Sequence, residues 1–208
     1  MIKLIESVEK LKNSKVKEFV DTRIKEFKET GKGSNDEIFN ELCFCIMTAN
    51  FNAERSIKIQ NEIKDGFCYF TEPQLIDRLE TLGHRYPTAR AKYIIEARKH
   101  KDFLKRTMDI FENEKKLREW FVKKVKGFGY KEASHFLRNI GYENLAIIDF
   151  HIIDLLVRHR LIERPKTLTP KKYLEIEEIL KTLADKLNIT LGELDLYLWY
   201  IETGKILK

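Results

Sequence analysis

The sequence predicts an all-α protein with two helical lobes. Apolar residues recur at spacings of three and four along nearly the whole chain, as one face of a helix requires. Ser, Thr or Asn followed by Pro, Glu or Gln punctuates that pattern where helices should begin. No segment alternates apolar and polar residues as a half-buried strand would. Leu145–Ile148 is apolar but short, and it leads directly into a helical pattern.

In chain order, Leu4, Val8 and Leu11 lie on one face of a first helix, and Val16, Phe19, Val20, Ile24 and Phe27 on one face of a second. Gly31-Lys-Gly33 breaks the pattern, and Ser34 or Asn35 can cap a buried helix carrying Ile38, Leu42, Cys45 and Ile46. Thr71-Glu-Pro73 and Thr169-Pro170 each read as a cap with Pro in the first turn, and Tyr86-Pro87 opens another helix. Thr190-Leu-Gly-Glu193 is a capping box for a final helix through Leu194, Tyr197, Leu198 and Ile201. Roughly ten or more helices follow from this pattern. There is no internal repeat, low-complexity tract or linker, so residues 1–208 are expected to form a single unit of two intertwined lobes.

Hydrophobic residues make up 43% and charged residues 35% of the 208, a balance that suits a globular chain and excludes a disordered one. The net charge of +6 favours a polyanionic partner. That excess is local: eight Lys and Arg stand against two Glu between Lys115 and Ile140. Three cysteines, Cys43, Cys45 and Cys68, lack the spacing of a disulfide framework and are expected to pack as small hydrophobes. No signal peptide and no membrane-length apolar run is visible, so an intracellular protein that does not enter membranes is expected.

The informative stretch is Val125-Lys-Gly127-Phe-Gly129-Tyr-Lys131-Glu-Ala133, set between two amphipathic helical patterns. Two glycines spaced by one residue permit a tight hairpin, and the second helix would then offer its N-terminal amides to a phosphate. Residues 115–141 thus read as a helix-hairpin-helix that grips a nucleic-acid backbone, or as a plain helix–helix turn. Eighteen residues after Lys131 stands Asp149, in Ile148-Asp149-Phe-His151. It can cap the helix that follows, or present a carboxylate to a cleft.

Hairpin, lysine and aspartate in this order and spacing resemble the helix-hairpin-helix DNA glycosylase superfamily. Further stretches (Glu41-Leu-Cys-Phe-Cys-Ile-Met-Thr-Ala-Asn50-Phe-Asn52, Leu82-Gly-His84-Arg85-Tyr86 and the end from Glu193 to Lys208) are similar to its archaeal-type 8-oxoguanine DNA glycosylase/AP lyases. One departure is Lys126, where many members have Pro. The resemblance implies base removal from double-stranded DNA containing 8-oxoguanine by a monomer. It implies Lys131 as nucleophile and Asp149 as its carboxylate partner. A lysine has an ordinary pKa near ~10.4, and the positive end of its helix together with neighbouring cations would favour the neutral amine.

The resemblance also implies that Gly127 and Gly129 hold the DNA backbone and that His151 contacts a phosphate, although His151 also suits a core. Asn50 and Asn52 would fill the gap left by the flipped base; Asn52 suits a helix cap equally well. Trp199 would stack on the flipped base or pack in a core, and Lys208, through a terminal carboxylate, would help distinguish 8-oxoguanine from guanine. No cofactor and no metal catalyst are expected. The four-cysteine iron–sulfur cluster of some members is excluded, because no Cys follows Cys68. Two alternatives stay open: a glycosylase for another damaged base, and a non-catalytic DNA-binding module.

Overall fold

A computed structural model describes every residue from Met1 to Lys208 and contains helices and no strands. The first half of the chain forms α1 (Ile2–Lys12), α2 (Val16–Lys32), α3 (Asn35–Thr48), α4 (Ala53–Ile63), the single turn α5 (Gly66–Tyr69), α6 (Glu72–Thr81) and α7 (Pro87–Ala97). A 3-10 helix (Arg98–Phe103) leads to α8 (Leu104–Ile110), α9 (Glu114–Lys124), α10 (Tyr130–Asn139), α11 (Phe150–Arg158), α12 (Pro170–Leu187) and α13 (Leu191–Thr203).

The helices begin where their capping residues require. Ser34, Thr71 and Thr190 each accept a hydrogen bond from the amide three residues on, and Glu37, Gln74 and Glu193 each accept one from the backbone N–H of the cap. Thr169 caps α12 ahead of Pro170, and Asn113 caps α9. Leu145–Ile148 forms no strand; it is buried and has no regular structure.

Two hydrophobic cores result. The first surrounds α3 and draws on α4, α6, α7, α9 and α10. Nearly every residue of α3 from Ile38 to Thr48 is buried, so this helix is central rather than amphipathic. The second core joins α1 and α2 to α11, α12 and α13. Phe19 departs from expectation: it is exposed, because the second core covers α2 only along Val16, Val20, Ile24 and Phe27. All three cysteines are free; Cys43 and Cys45 are buried, and Cys68 is half-buried. No helix is long and apolar enough to cross a membrane.

The lobes meet where the end of α2 lies against the end of α10. A Cβ added to Gly31 would sit 2.1 Å from the Ile140 carbonyl oxygen, so only glycine permits this approach. Alanine is the better helix former by about 1 kcal/mol, yet here it must push backbone from backbone. Gly31→Ala is therefore expected to destabilise the protein by about 1–3 kcal/mol, the range of an overpacked core. A thermal melt should show the midpoint falling by about 2–4 °C per kcal/mol; a rise would mean that the contact yields.

Candidate active site

The hairpin between α9 and α10 forms as its glycines require. Gly127 has φ +87°, a left-handed backbone, and a Cβ there would lie 2.6 Å from the Tyr93 ring. Gly129 is the N-cap of α10; having no side chain, it leaves only the return half of a capping box, Glu132 Oε2 accepting from Gly129 N at 3.1 Å. The first-turn amides of α10 have no partner inside the helix. Lys123, Lys124 and Lys126 stand exposed beside them. Arg118 and Arg138 belong to the same basic stretch but point inward, onto Glu177 and Asp195. The outward field is therefore weaker by two cations than the sequence count suggests.

A cavity of about 1220 Å3 opens between the two cores. Lys131, Asp149, His151, Trp199, Lys208, Asn50 and Asn52 all line it, although they come from separate stretches of chain. Gly127 and Gly129 do not line it; they shape the hairpin at its side.

Lys131 is the second residue of α10 and is half-buried. It forms no ion pair with any carboxylate, unlike eleven of the protein's other lysines, such as Lys28 on Glu143 and Lys115 on Glu178. Asp149 caps α11, with Oδ1 accepting from Ile152 N at 3.0 Å. Capping and facing the cavity are thus compatible, because one oxygen serves the helix while the residue still lines the cleft.

Asn52 is committed to its helix, with Oδ1 accepting from Arg55 N at 3.0 Å. Asn50 is exposed and has φ 55°, a left-handed turn that ends α3 at the cleft mouth. Behind this loop, Phe51 stacks on His84 with ring centroids 4.1 Å apart. Tyr86 N donates to His84 Nδ1, which assigns the proton to Nε2, 3.0 Å from the Met47 carbonyl. His151 stacks on the exposed Phe150 and meets Trp199 edge-on, with centroids 5.0 Å apart. The buried Trp199 Nε1 has no hydrogen-bond partner in the protein.

The structure adds three residues that sequence reasoning did not assign. Asp195 lines the cavity and receives Arg138 Nη1 at 2.6 Å. Burial and then the nearby Asp149 push its carboxyl up to about 6, with Arg138 and Lys131 pulling the other way. Its signal in the sequence is a lone carboxylate within the apolar stretch Leu194–Ile201. His135 also lines the cavity, its Nδ1 unpartnered. Burial, with Arg138 and Lys131 nearby, drives its pKa well below the ordinary value, so the ring is neutral.

Glu41 anchors the third addition. It accepts from Asn139 Nδ2 at 2.6 Å and from Lys208 Nζ at 2.8 Å, while Gln60 Oε1 takes a second bond from Lys208 at 2.5 Å. Because Arg138 Nε also donates to Asn139 at 3.0 Å, a continuous polar chain runs from Asp195 to Lys208. Lys208 is therefore pinned in the cleft by its side chain. No group of three or more His, Cys, Asp or Glu is placed to hold a metal ion.

Comparison with known proteins places these features in context. The family described as 8-oxoguanine DNA glycosylase matches residues 20–189. An 8-oxoguanine DNA glycosylase/AP lyase of Methanocaldococcus jannaschii is 53% identical over 206 residues, covering 99% of each chain. One from Korarchaeum cryptofilum is 50% identical over 206 residues, covering 99% of this chain and 98% of its own. The crystal structure of the M. jannaschii 8-oxoguanine glycosylase/lyase in complex with a 15mer DNA containing 8-oxoguanine is similar over 100% of both chains, with a TM-score of 0.97 and 53% identity. The 8-oxoguanine DNA glycosylase of Thermotoga maritima has a TM-score of 0.93 at 43% identity over 99% of each chain.

The raised Asp195 pKa has a sign that can be measured. The folded state holds this proton more tightly than the unfolded chain, whose carboxyl has its ordinary value of 3.8. Asp195 therefore contributes most stability below pH ~4 and loses it as pH rises towards 6. Urea midpoints at pH 4 and pH 6.5 are expected to show the stability of the parent relative to Asp195→Asn falling as pH rises. A flat difference would mean that Arg138 holds the carboxylate ionised throughout.

Proposed function

The chain belongs to the 8-oxoguanine DNA glycosylase family, and from that premise we propose that Lys131 and Asp149 carry its glycosylase and AP lyase chemistry on double-stranded DNA. The observation that supports this most is their convergence: they line one cavity that also contains an indole, two imidazoles and the anchored Lys208. All of these groups come from one chain, so a monomer suffices, acting inside the cell where its DNA is found.

A base flipped from the duplex costs a few kcal/mol to extrude and would enter between the lobes. Lys131 Nζ attacks C1′ of the deoxyribose. The glycosidic C1′–N bond breaks, and the base departs with that electron pair and gains a proton. Loss of a proton from nitrogen and opening of the sugar ring give a Schiff base between Lys131 and C1′. Loss of a proton from C2′ then expels the 3′ phosphate, cleaving the strand. The absence of a carboxylate paired to Lys131 leaves its amine free to act. Asp149 stabilises the positive charge that develops on the sugar, and it can relay protons.

Around this pair, the hairpin at Gly127 and Gly129 holds the DNA backbone. His151 lies where a phosphate could be met, and Asn50 at the mouth is better placed than Asn52 to enter the space left by the base. Trp199 supplies a stacking face worth roughly 1–3 kcal/mol. Lys208, fixed by Glu41 and Gln60, contributes to base recognition at the same cavity.

Duplex DNA carrying one 8-oxoguanine, incubated with borohydride, is expected to yield a covalent protein–DNA adduct. Lys131→Gln should yield none. Asp149→Asn keeps a residue that caps equally well, so its fold should persist while the rate of base release drops roughly 10²–10⁴-fold. Tight DNA binding with neither adduct nor strand cleavage by the parent would sink the reading. Removing Lys208 is expected to narrow the ratio of 8-oxoguanine to guanine release, measured on matched duplexes.

A further inference from the structure

Behind the cavity lies a buried cluster that the chemistry above does not use. Arg118 of α9 and Glu177 of α12 have side chains 1% exposed and bond twice, Nη1 to Oε2 at 2.5 Å and Nη2 to Oε1 at 2.9 Å. The cluster reaches the catalytic elements from two sides.

On one side it holds the start of α10. Arg118 Nη1 donates to Ser134 Oγ at 3.1 Å, and its guanidinium lies 4.9 Å from the Tyr130 ring centroid. Tyr130 immediately precedes Lys131, and Ser134 follows it by three residues, so the nucleophile is bracketed. On the other side it holds the strandless stretch that ends at Asp149. Glu177 Oε2 accepts from Ala146 N at 2.9 Å. The Tyr173 hydroxyl donates to the Ala146 carbonyl at 2.7 Å and accepts from Ile148 N at 3.2 Å. The Tyr130 and Tyr173 rings, 5.5 Å apart, close the circuit.

We propose that Arg118, Glu177 and Tyr173 are positioning residues that set the separation of Lys131 and Asp149. Residues 145–148 lie in neither helix nor sheet, yet their buried amides must find partners. For Ala146 and Ile148 those partners are side chains of α12, a helix whose cluster residues do not line the cavity. Hydrogen bonds are directional where apolar packing is not, so the cluster specifies where the carboxylate comes to rest relative to α10. A misplacement of about 1 Å can cost ~10²-fold in rate, so such a constraint acts on catalysis without touching DNA.

The inference rests on the reading of Lys131 and Asp149 above, and its test separates the two. Tyr173→Phe removes one hydroxyl and keeps the ring. Leu183→Ala, in the same helix and fully buried in the second core, removes packing and leaves the cluster intact. Both should lower the thermal midpoint. Under single-turnover conditions with enzyme saturating over 8-oxoguanine duplex, Tyr173→Phe is expected to lose about tenfold in rate, within the range misplacement produces. Its DNA dissociation constant should stay within about twofold, because no DNA contact is removed. Leu183→Ala should keep the parental rate. Glu177→Gln, which weakens the ion pair and keeps the shape, should lose rate in the same manner. A Tyr173→Phe rate within about twofold of the parent overturns the inference alone, and so does an equal loss in Leu183→Ala. A parent that releases no base and traps no adduct overturns the functional reading and this inference together.

Discussion

The arrangement depends on one buried ion pair. Arg118 and Glu177 stand on opposite sides of the boundary between the two cores, and almost no water reaches either. Such a pair is a poor source of net stability, because taking both charges out of water offsets most of their attraction. What it adds is specificity of arrangement. Removing one partner would leave the other charged and buried, at a cost of about 3–5 kcal/mol. The two lobes are thus joined in one alignment, and the hydrogen bonds to Ser134 and Ala146 extend that alignment to both sides of the cleft.

A second polar chain lines the cleft itself. Asp195, Arg138, Asn139, Glu41 and Lys208 pass hydrogen bonds from the neighbourhood of Asp149 to the far side of the cavity. The site is therefore largely organised by groups that satisfy one another. Against this background the exceptions stand out: Lys131 has no counterion, and His135 Nδ1 and Trp199 Nε1 have no partner. On the proposed reading, these are the groups left for the substrate to meet.

Local features were legible in the sequence because they depend on neighbours in the chain. Ser34, Thr71, Thr169 and Thr190 cap as their spacing predicts, and Gly127 turns the hairpin. Lys131 and Asp149 were visible through the hairpin, their spacing and a family resemblance. What stayed hidden depends on contacts between distant residues. Arg118 and Arg138 read as surface charge because their acidic partners lie 59 and 57 residues away. Glu41 meets Lys208 across 167 residues, so neither residue alone announces the contact. Phe19 lies beside the buried stripe of α2, where periodicity cannot say how far the neighbouring helices reach.

The first core uses a nearly continuous run of chain, whereas the second takes α1 and α2 from one end and α11, α12 and α13 from the other. Lys12 Nζ reaches the Leu187 carbonyl at 2.6 Å across 175 residues. During synthesis α1 and α2 emerge early, with Leu4, Val8 and Val20 ready to be buried and their partner helices not yet made. At roughly 5–20 residues per second, the stretch from α2 to α11 takes on the order of ten seconds to appear. The first lobe can fold in that interval, with Lys131 already on its helix, while the lobe that contributes Asp195 and Trp199 cannot close. The cleft is thus the last part of the molecule to assemble, and a chain released early would carry Lys131 without the far wall of the cavity that it lines.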